Sequence, residues 1–142
     1  MTAQDIKNFV NPLVKIIKEW PPFIEDIIAA GLKPASTTVF PYGLTIYNPS
    51  GLDIPDDIMI HEAVHIAQQG ENPADWWKRY IFDKNFRLSQ EIEANREQYK
   101  FICKIFKDRN QRVRALDKIA KNMSGEIYGN MISYLEALKA IK

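Results

Sequence analysis

Apolar positions along the chain switch between helical spacing and strand-like runs. Ile6, Phe9, Val10, Leu13, Ile16 and Ile17 recur at helical intervals over residues 5–19. They predict a first helix, kinked or split by Pro12 and ended by Pro21-Pro22. Residues 22–30 (PFIEDIIAA) predict a second, short helix with Gly31 as its C-terminal cap and Pro34 beyond. The pattern then changes. Ser36-Thr37-Thr38-Val39-Phe40 and Leu44-Thr45-Ile46-Tyr47 are rich in β-branched and aromatic residues, with Pro41-Tyr42-Gly43 between them, which predicts a small hairpin.

The remainder reads as helix. One helix starts near Pro55, with Asp56 and Asp57 favourable in its first turn, and runs to about Gln69 before Gly70. Asn72-Pro73 opens another, to about Phe82. Residues 88–107 predict a long amphipathic helix, and residues 111–122 and 126–140 two more that meet at Ser124-Gly125. The expected class is α+β, mostly helical, in one domain. An N-terminal helical segment (1–34), a central part (36–106) and C-terminal helices (111–142) make it up, and 142 residues suit that.

Composition narrows the functional classes. With 19 basic and 18 acidic side chains the net charge is +1, so no electrostatic footprint for nucleic acid is present. The single cysteine, Cys103, excludes an intramolecular disulfide and fits a reducing compartment. The first residues lack a basic segment followed by an apolar one, and no apolar run approaches the roughly 20 residues that span a bilayer. The expectation is a cytoplasmic protein without membrane partners, with packaging in a phage particle or export by a non-classical route as the other settings.

Chemistry concentrates in His61-Glu62-Ala63-Val64-His65, an HExxH motif that contains both histidines of the chain. On a helix, residues four apart share a face, so both imidazoles can reach one Zn²⁺. Glu62 lies about 100° around the helix from His61 and can take a proton from a water at the metal, as general base. A catalytic zinc needs a third protein ligand, and no third histidine exists. Cys103 is one option, although thiolates are commoner in structural sites. The carboxylate-rich segment Ser89-Gln90-Glu91-Ile92-Glu93-Ala94-Asn95 offers a better one. Taking Leu88, Ile92, Tyr99, Ile102 and Phe106 as the buried stripe, Glu91 projects beside it and Glu93 to the far side. A carboxylate beside an apolar stripe needs a compensating cation, which selects Glu91.

With these residues in place, the chain resembles the gluzincin branch of the zincin metallopeptidases, in which an HExxH helix is followed by a helix bearing a glutamate ligand. Glu91-Ile92-Glu93-Ala94-Asn95 is similar to the Glu-x-x-Ala-Asp pattern of that branch, with Asn95 replacing the aspartate. The segments His65–Gln69, Trp76–Tyr80 and Phe86–Leu88 also resemble compact phage-type metallopeptidases, a likeness covering residues 36–106. The resemblance implies a zinc peptidase acting on peptide or protein substrates, with Glu91 as third ligand and Asn95 accepting a hydrogen bond from a ligating imidazole. The competing reading is a non-catalytic metal-binding or structural domain of a phage particle or secretion assembly.

Other residues carry weaker readings. Of Trp76 and Trp77, one ring is expected in the core and one in a partly exposed groove. Arg109, Arg112 and Arg114 read as a solvated helix face. Tyr128 is a candidate oxyanion stabiliser against a core-packing role. Gln68, one turn beyond His65, lines the cleft or its rim. Thr45-Ile46-Tyr47 is either an edge strand that holds extended peptide or simply a cover for the motif helix.

Overall fold

The computed structural model describes residues 13–142. It is mostly helical with one small mixed sheet. Lys15–Ile17 forms β1, Ile24–Ala29 α1, Phe40–Tyr42 β2 and Thr45–Tyr47 β3. The helices that follow are α2 (Asp56–Gln69), α3 (Pro73–Phe82), α4 (Lys84–Ile105), α5 (Arg109–Met123) and α6 (Tyr134–Ile141). A single 3₁₀ turn, Glu126–Tyr128, precedes α6.

The predicted first helix does not hold where it can be seen. Residues 5–12 lie outside the described residues, and Lys15–Ile17 is a strand. Val14, Ile16 and Ile17 are β-branched, and a parallel partner is at hand. Lys15 N donates to Leu44 O at 2.8 Å and Asn48 N to Ile17 O at 2.8 Å. Tertiary pairing overrides the local helical spacing.

The sheet order is β1-β3-β2, with β1 parallel and β2 antiparallel to β3. The hairpin therefore forms, but its turn is Gly43-Leu44 and Pro41 sits inside β2. Proline is tolerated there because β2 is an edge strand. Gln69, the last residue of α2, covers that edge. Its Nε2 donates to Pro41 O at 2.7 Å, and its Oε1 accepts from Gly43 N at 2.7 Å. Trp77 Nε1 also donates to Pro41 O, at 2.8 Å. The hairpin is thus tied to the C-terminal end of α2.

Helix boundaries follow their caps. Asn72 Oδ1 accepts from Asp75 N at the start of α3, and Asp83 Oδ1 from Phe86 N at the start of α4. Asp83 starts α4 at Lys84, four residues before the predicted start. The predicted helix 126–140 is broken. Gly129 and Asn130 have φ of +81° and +54°, so the chain turns there, and Ser133 caps α6 by accepting from Glu136 N.

Two apolar clusters flank α4. One joins α1, β2 and α3 through Ile27, Leu32, Phe40, Trp76, Trp77, Tyr80 and Ile81. The other joins α4, α5 and α6 through Ile102, Leu116, Ile119, Met123, Ala137 and Ile141. The predicted apolar stripe of α4 serves the second cluster, against which Leu88, Ile92 and Tyr99 pack. The most deeply buried positions of α4 include a polar row, Arg87, Glu91, Asn95 and Gln98. Among the described residues, no helix is long and apolar enough to cross a membrane.

Candidate metal centre

The residues of the motif lie on α2, and Ile60, His61, Glu62, Val64 and His65 are all buried. His61 and His65 are one turn apart, and Glu91 of α4 meets them from the facing helix. His61 Nε2 and His65 Nε2 are 3.1 Å apart. Glu91 Oε1 lies 3.1 Å from His61 Nε2, and Glu91 Oε2 lies 3.1 Å from His65 Nε2. Glu91 is only 1% exposed.

This triangle fits a small divalent cation. Bonds of about 2.0–2.1 Å in tetrahedral geometry put ligand atoms about 3.3 Å apart. Two imidazole nitrogens and one carboxylate are a donor set used for zinc and for other first-row metals. His61, His65 and Glu91 form a group able to hold a metal ion, and Cys103 is not part of it. Glu91 Oε1, although close to His61, receives no hydrogen bond. Burial by itself pushes the Glu91 carboxyl up, but its electrostatic interactions with His65 and His61 outweigh this and hold it well below the usual carboxylate range. For His65, burial pushes the ring down, while Glu91, Gln68 and Glu93 together push it up by more.

Glu62 has a different environment. It is 7% exposed, and its Oε2 has no hydrogen-bond partner. Burial raises its pKa to about 8, opposed by His61 and reinforced by Glu91. An unpartnered buried carboxyl is costly to the fold.

Further residues support the triad. Tyr80 donates from its hydroxyl to Glu91 Oε2 at 2.6 Å and stacks on Trp76, centroids 4.8 Å apart. The Trp76 ring in turn lies 5.2 Å from that of His65. Burial first, and then the Glu91 charge, push the Tyr80 hydroxyl well above its usual range, so it remains a donor. Arg87 is buried one turn before Glu91 and donates to Tyr80 O, Ile81 O and Tyr128 O. It thereby caps α3 and fastens the 3₁₀ turn.

Several sequence readings need correction. Asn95 donates to Glu91 O within its own helix, and the residue that reaches His61 is Gln98, with Oε1 2.9 Å from Nδ1. The side chain at position 95 turns back along its own helix. Gln68 is no mere rim residue, because its Oε1 lies 2.8 Å from His65 Nδ1. Both tryptophans are buried, since each indole N–H finds an acceptor, Gln90 Oε1 for Trp76 and Pro41 O for Trp77. Strand Thr45–Tyr47 is central and paired on both sides, so it has no edge to offer a peptide. Glu93 is exposed, as the helical face argument expects.

A cavity of about 480 Å³ opens beside the triad. Its lining includes His61, Glu62, His65, Glu91, Tyr80 and Tyr128, with Ile27, Leu32, Val39, Phe40, Ile58, Trp77 and Ile127 as apolar wall. Tyr128 makes no hydrogen bond from its hydroxyl to another described residue. Burial, then the charges of Glu91 and Glu62, push that hydroxyl well above its usual range. Tyr80, Gln98 and Arg87 went unnoticed in the sequence. Gln98 and Arg87 carried a faint signal, lying seven residues after and four before Glu91 on one helical face. Comparison with protein-family models, curated proteins and solved structures gave no match.

Proposed function

We propose that this chain is a zinc-dependent metallohydrolase that cleaves peptide bonds, a minimal member of the zincin type. His61, His65 and Glu91 hold the metal, and Glu62 is the general base. The observation that carries this reading is Glu62, a buried carboxyl with an unpartnered oxygen that lines the same cavity as the triad. A structural zinc is closed by four protein ligands and needs no such group. Here three ligands are offered, with space beside them.

Zinc held by the triad would polarise the substrate carbonyl and make water a better nucleophile. Glu62 takes the proton of that water and passes it to the leaving amine. Its pKa of about 8 in the metal-free protein falls in the presence of a cation, toward the range useful to a base at neutral pH. Tyr128, protonated and free to donate, is assigned to the developing oxyanion. Tyr80 orients Glu91. The apolar wall receives a large apolar side chain of the substrate.

The test is Glu62→Gln, which keeps the size of the side chain and removes the base. Both proteins are expected to bind about one zinc per chain, because Glu62 is no ligand in this reading. Wild type should cleave members of a mixed peptide library, read by mass spectrometry, and the variant should be slower by about 10²- to 10⁴-fold. Equal cleavage by both removes Glu62 as base. Zinc bound by both with no cleavage from either favours a structural metal domain instead.

A further inference from the structure

Each imidazole of the triad has a second nitrogen, and both receive the same kind of partner. His61 Nδ1 lies 2.9 Å from Gln98 Oε1, and His65 Nδ1 lies 2.8 Å from Gln68 Oε1. The far end of each amide fixes its orientation. Gln98 Nε2 donates to Asp57 Oδ2 at 2.8 Å. Gln68 Nε2 donates to Glu93 Oε1 at 3.0 Å and to Gln90 O at 3.1 Å. Ionised carboxylates and backbone carbonyls have no proton to give, so the amide nitrogens must face them and the amide oxygens must face the rings. An amide oxygen only accepts. With a cation held at the centre, each neutral ring would carry its proton on Nδ1 and turn the lone pair of Nε2 toward the centre; without one, the Glu91 oxygens 3.1 Å from each Nε2 also accept and compete for that proton.

We propose that Gln98 and Gln68 are positioning residues for the metal ligands: two neutral bridges, each fixing the tautomer and orientation of one imidazole and tying it to a carboxylate, Asp57 or Glu93. This inference rests on the metal reading above. Ligating imidazoles are oriented by the partner of their other nitrogen, and that partner also tunes how strongly they bind. A carboxylate in direct contact would make the ring a stronger donor. Here the carboxylates stand one link further out, so Glu91 is the sole anion among the proposed ligands and less of the cation's charge is neutralised. The bridges also connect helices, because Gln98 of α4 holds a ring on α2 and Gln68 of α2 reaches Glu93 on α4.

Zinc affinity, measured by competition with a chelator, tests this. Gln98→Leu and Gln68→Leu should each weaken zinc binding by about 10- to 100-fold. The double variant Asp57→Asn, Gln98→Glu exchanges the groups at the two ends of one bridge and keeps both hydrogen bonds. It should bind zinc at least as tightly as wild type. Leucine variants with unchanged affinity, or a double variant as weak as Gln98→Leu, would overturn the proposal. A second measurement needs no leucine variant. Long-range ¹⁵N spectra of the zinc-loaded wild-type protein should place the proton on Nδ1 of each ring and leave Nε2 without one. A proton on Nε2 of either ring would also overturn the proposal. If wild type binds no zinc, the metal reading fails and this inference with it, whereas zinc bound equally by wild type and the leucine variants overturns this inference alone.

Discussion

At the scale of the residue, Glu91 and Glu93 are separated first by angular position on the helix, and the two residues have opposite fates. Glu91 is buried against both imidazoles, whereas Glu93 is exposed and touches the site only through Gln68. Glu91→Ala removes the one carboxylate of the group and leaves two rings facing an empty volume. It should weaken zinc binding by more than about 100-fold, beyond the loss of an outer partner. Glu93→Ala removes one of two acceptors of Gln68 Nε2, because Gln90 O remains. Its effect should stay under about tenfold. Isothermal titration of both variants with zinc checks the ordering, and equal losses would dismiss the ligand assignment. Tyr80 was beyond reach of such reasoning. A tyrosine eleven residues upstream of Glu91 meets it only because α3 folds back on α4, and nothing in its local spacing announces that.

Elements with their own capping chemistry were legible in the sequence. Asn72-Pro73 opens α3 as expected, and α2 runs from Asp56 to Gln69 between Pro55 and Gly70. Elements decided by distant partners were not. β1 exists through pairing with β3, and the helical spacing of its residues is misleading. The apolar stripe of α4 packs on the C-terminal helices, and α4 is also buried on a second, polar side that the stripe did not announce, the side toward His61 and His65. Glu91 borders the stripe and belongs to the polar row, which brings it to the two imidazoles. Of the two C-terminal helices expected, residues 111–122 fall within α5, and residues 126–140 are interrupted at Gly129. Its φ of +81° is a conformation that L side chains rarely adopt, and a Cβ there would lie 2.9 Å from Leu32 Cδ2 and 3.3 Å from Arg87 Nη2. Gly129→Ala should therefore destabilise the protein by about 1–3 kcal/mol. It should also disturb the Arg87 contact with Tyr128 O, and so displace a residue of the cavity. Urea unfolding with and without zinc measures the first effect. An unchanged midpoint would mean that the turn tolerates a side chain.

For the whole molecule, the site makes stability depend on pH in opposite senses with and without metal. In the metal-free protein, Glu62 has its pKa raised from 4.5 to about 8, so the folded state holds a proton that the unfolded state releases. Its contribution to stability is present below pH 4.5 and is lost as pH rises toward 8. His65 is also raised, from 6.5, so the stability it lends below that pH is lost as pH climbs through its folded value. Glu91 is lowered from 4.5, and its contribution is lost only as pH falls below that value. Together these groups place the stability maximum of the metal-free protein near pH 4.5–5, with a decline toward pH 8. At about 1.4 kcal/mol per pH unit and per proton, Glu62 alone supplies a decline of a few kcal/mol. On the proposed reading, zinc would act the other way. It requires unprotonated rings and an ionised carboxylate, so its affinity, and the stability it adds through binding the folded state, grow with pH. The gap in denaturation midpoint between zinc-loaded and metal-free protein should therefore widen steadily from pH 5 to pH 8, because one curve falls while the other is held up. Glu62→Gln should flatten much of the metal-free decline and leave the part due to His65. A metal-free protein equally stable at pH 5 and pH 8 would contradict the buried proton on Glu62. A zinc-induced shift of the same size at both would contradict imidazole ligation.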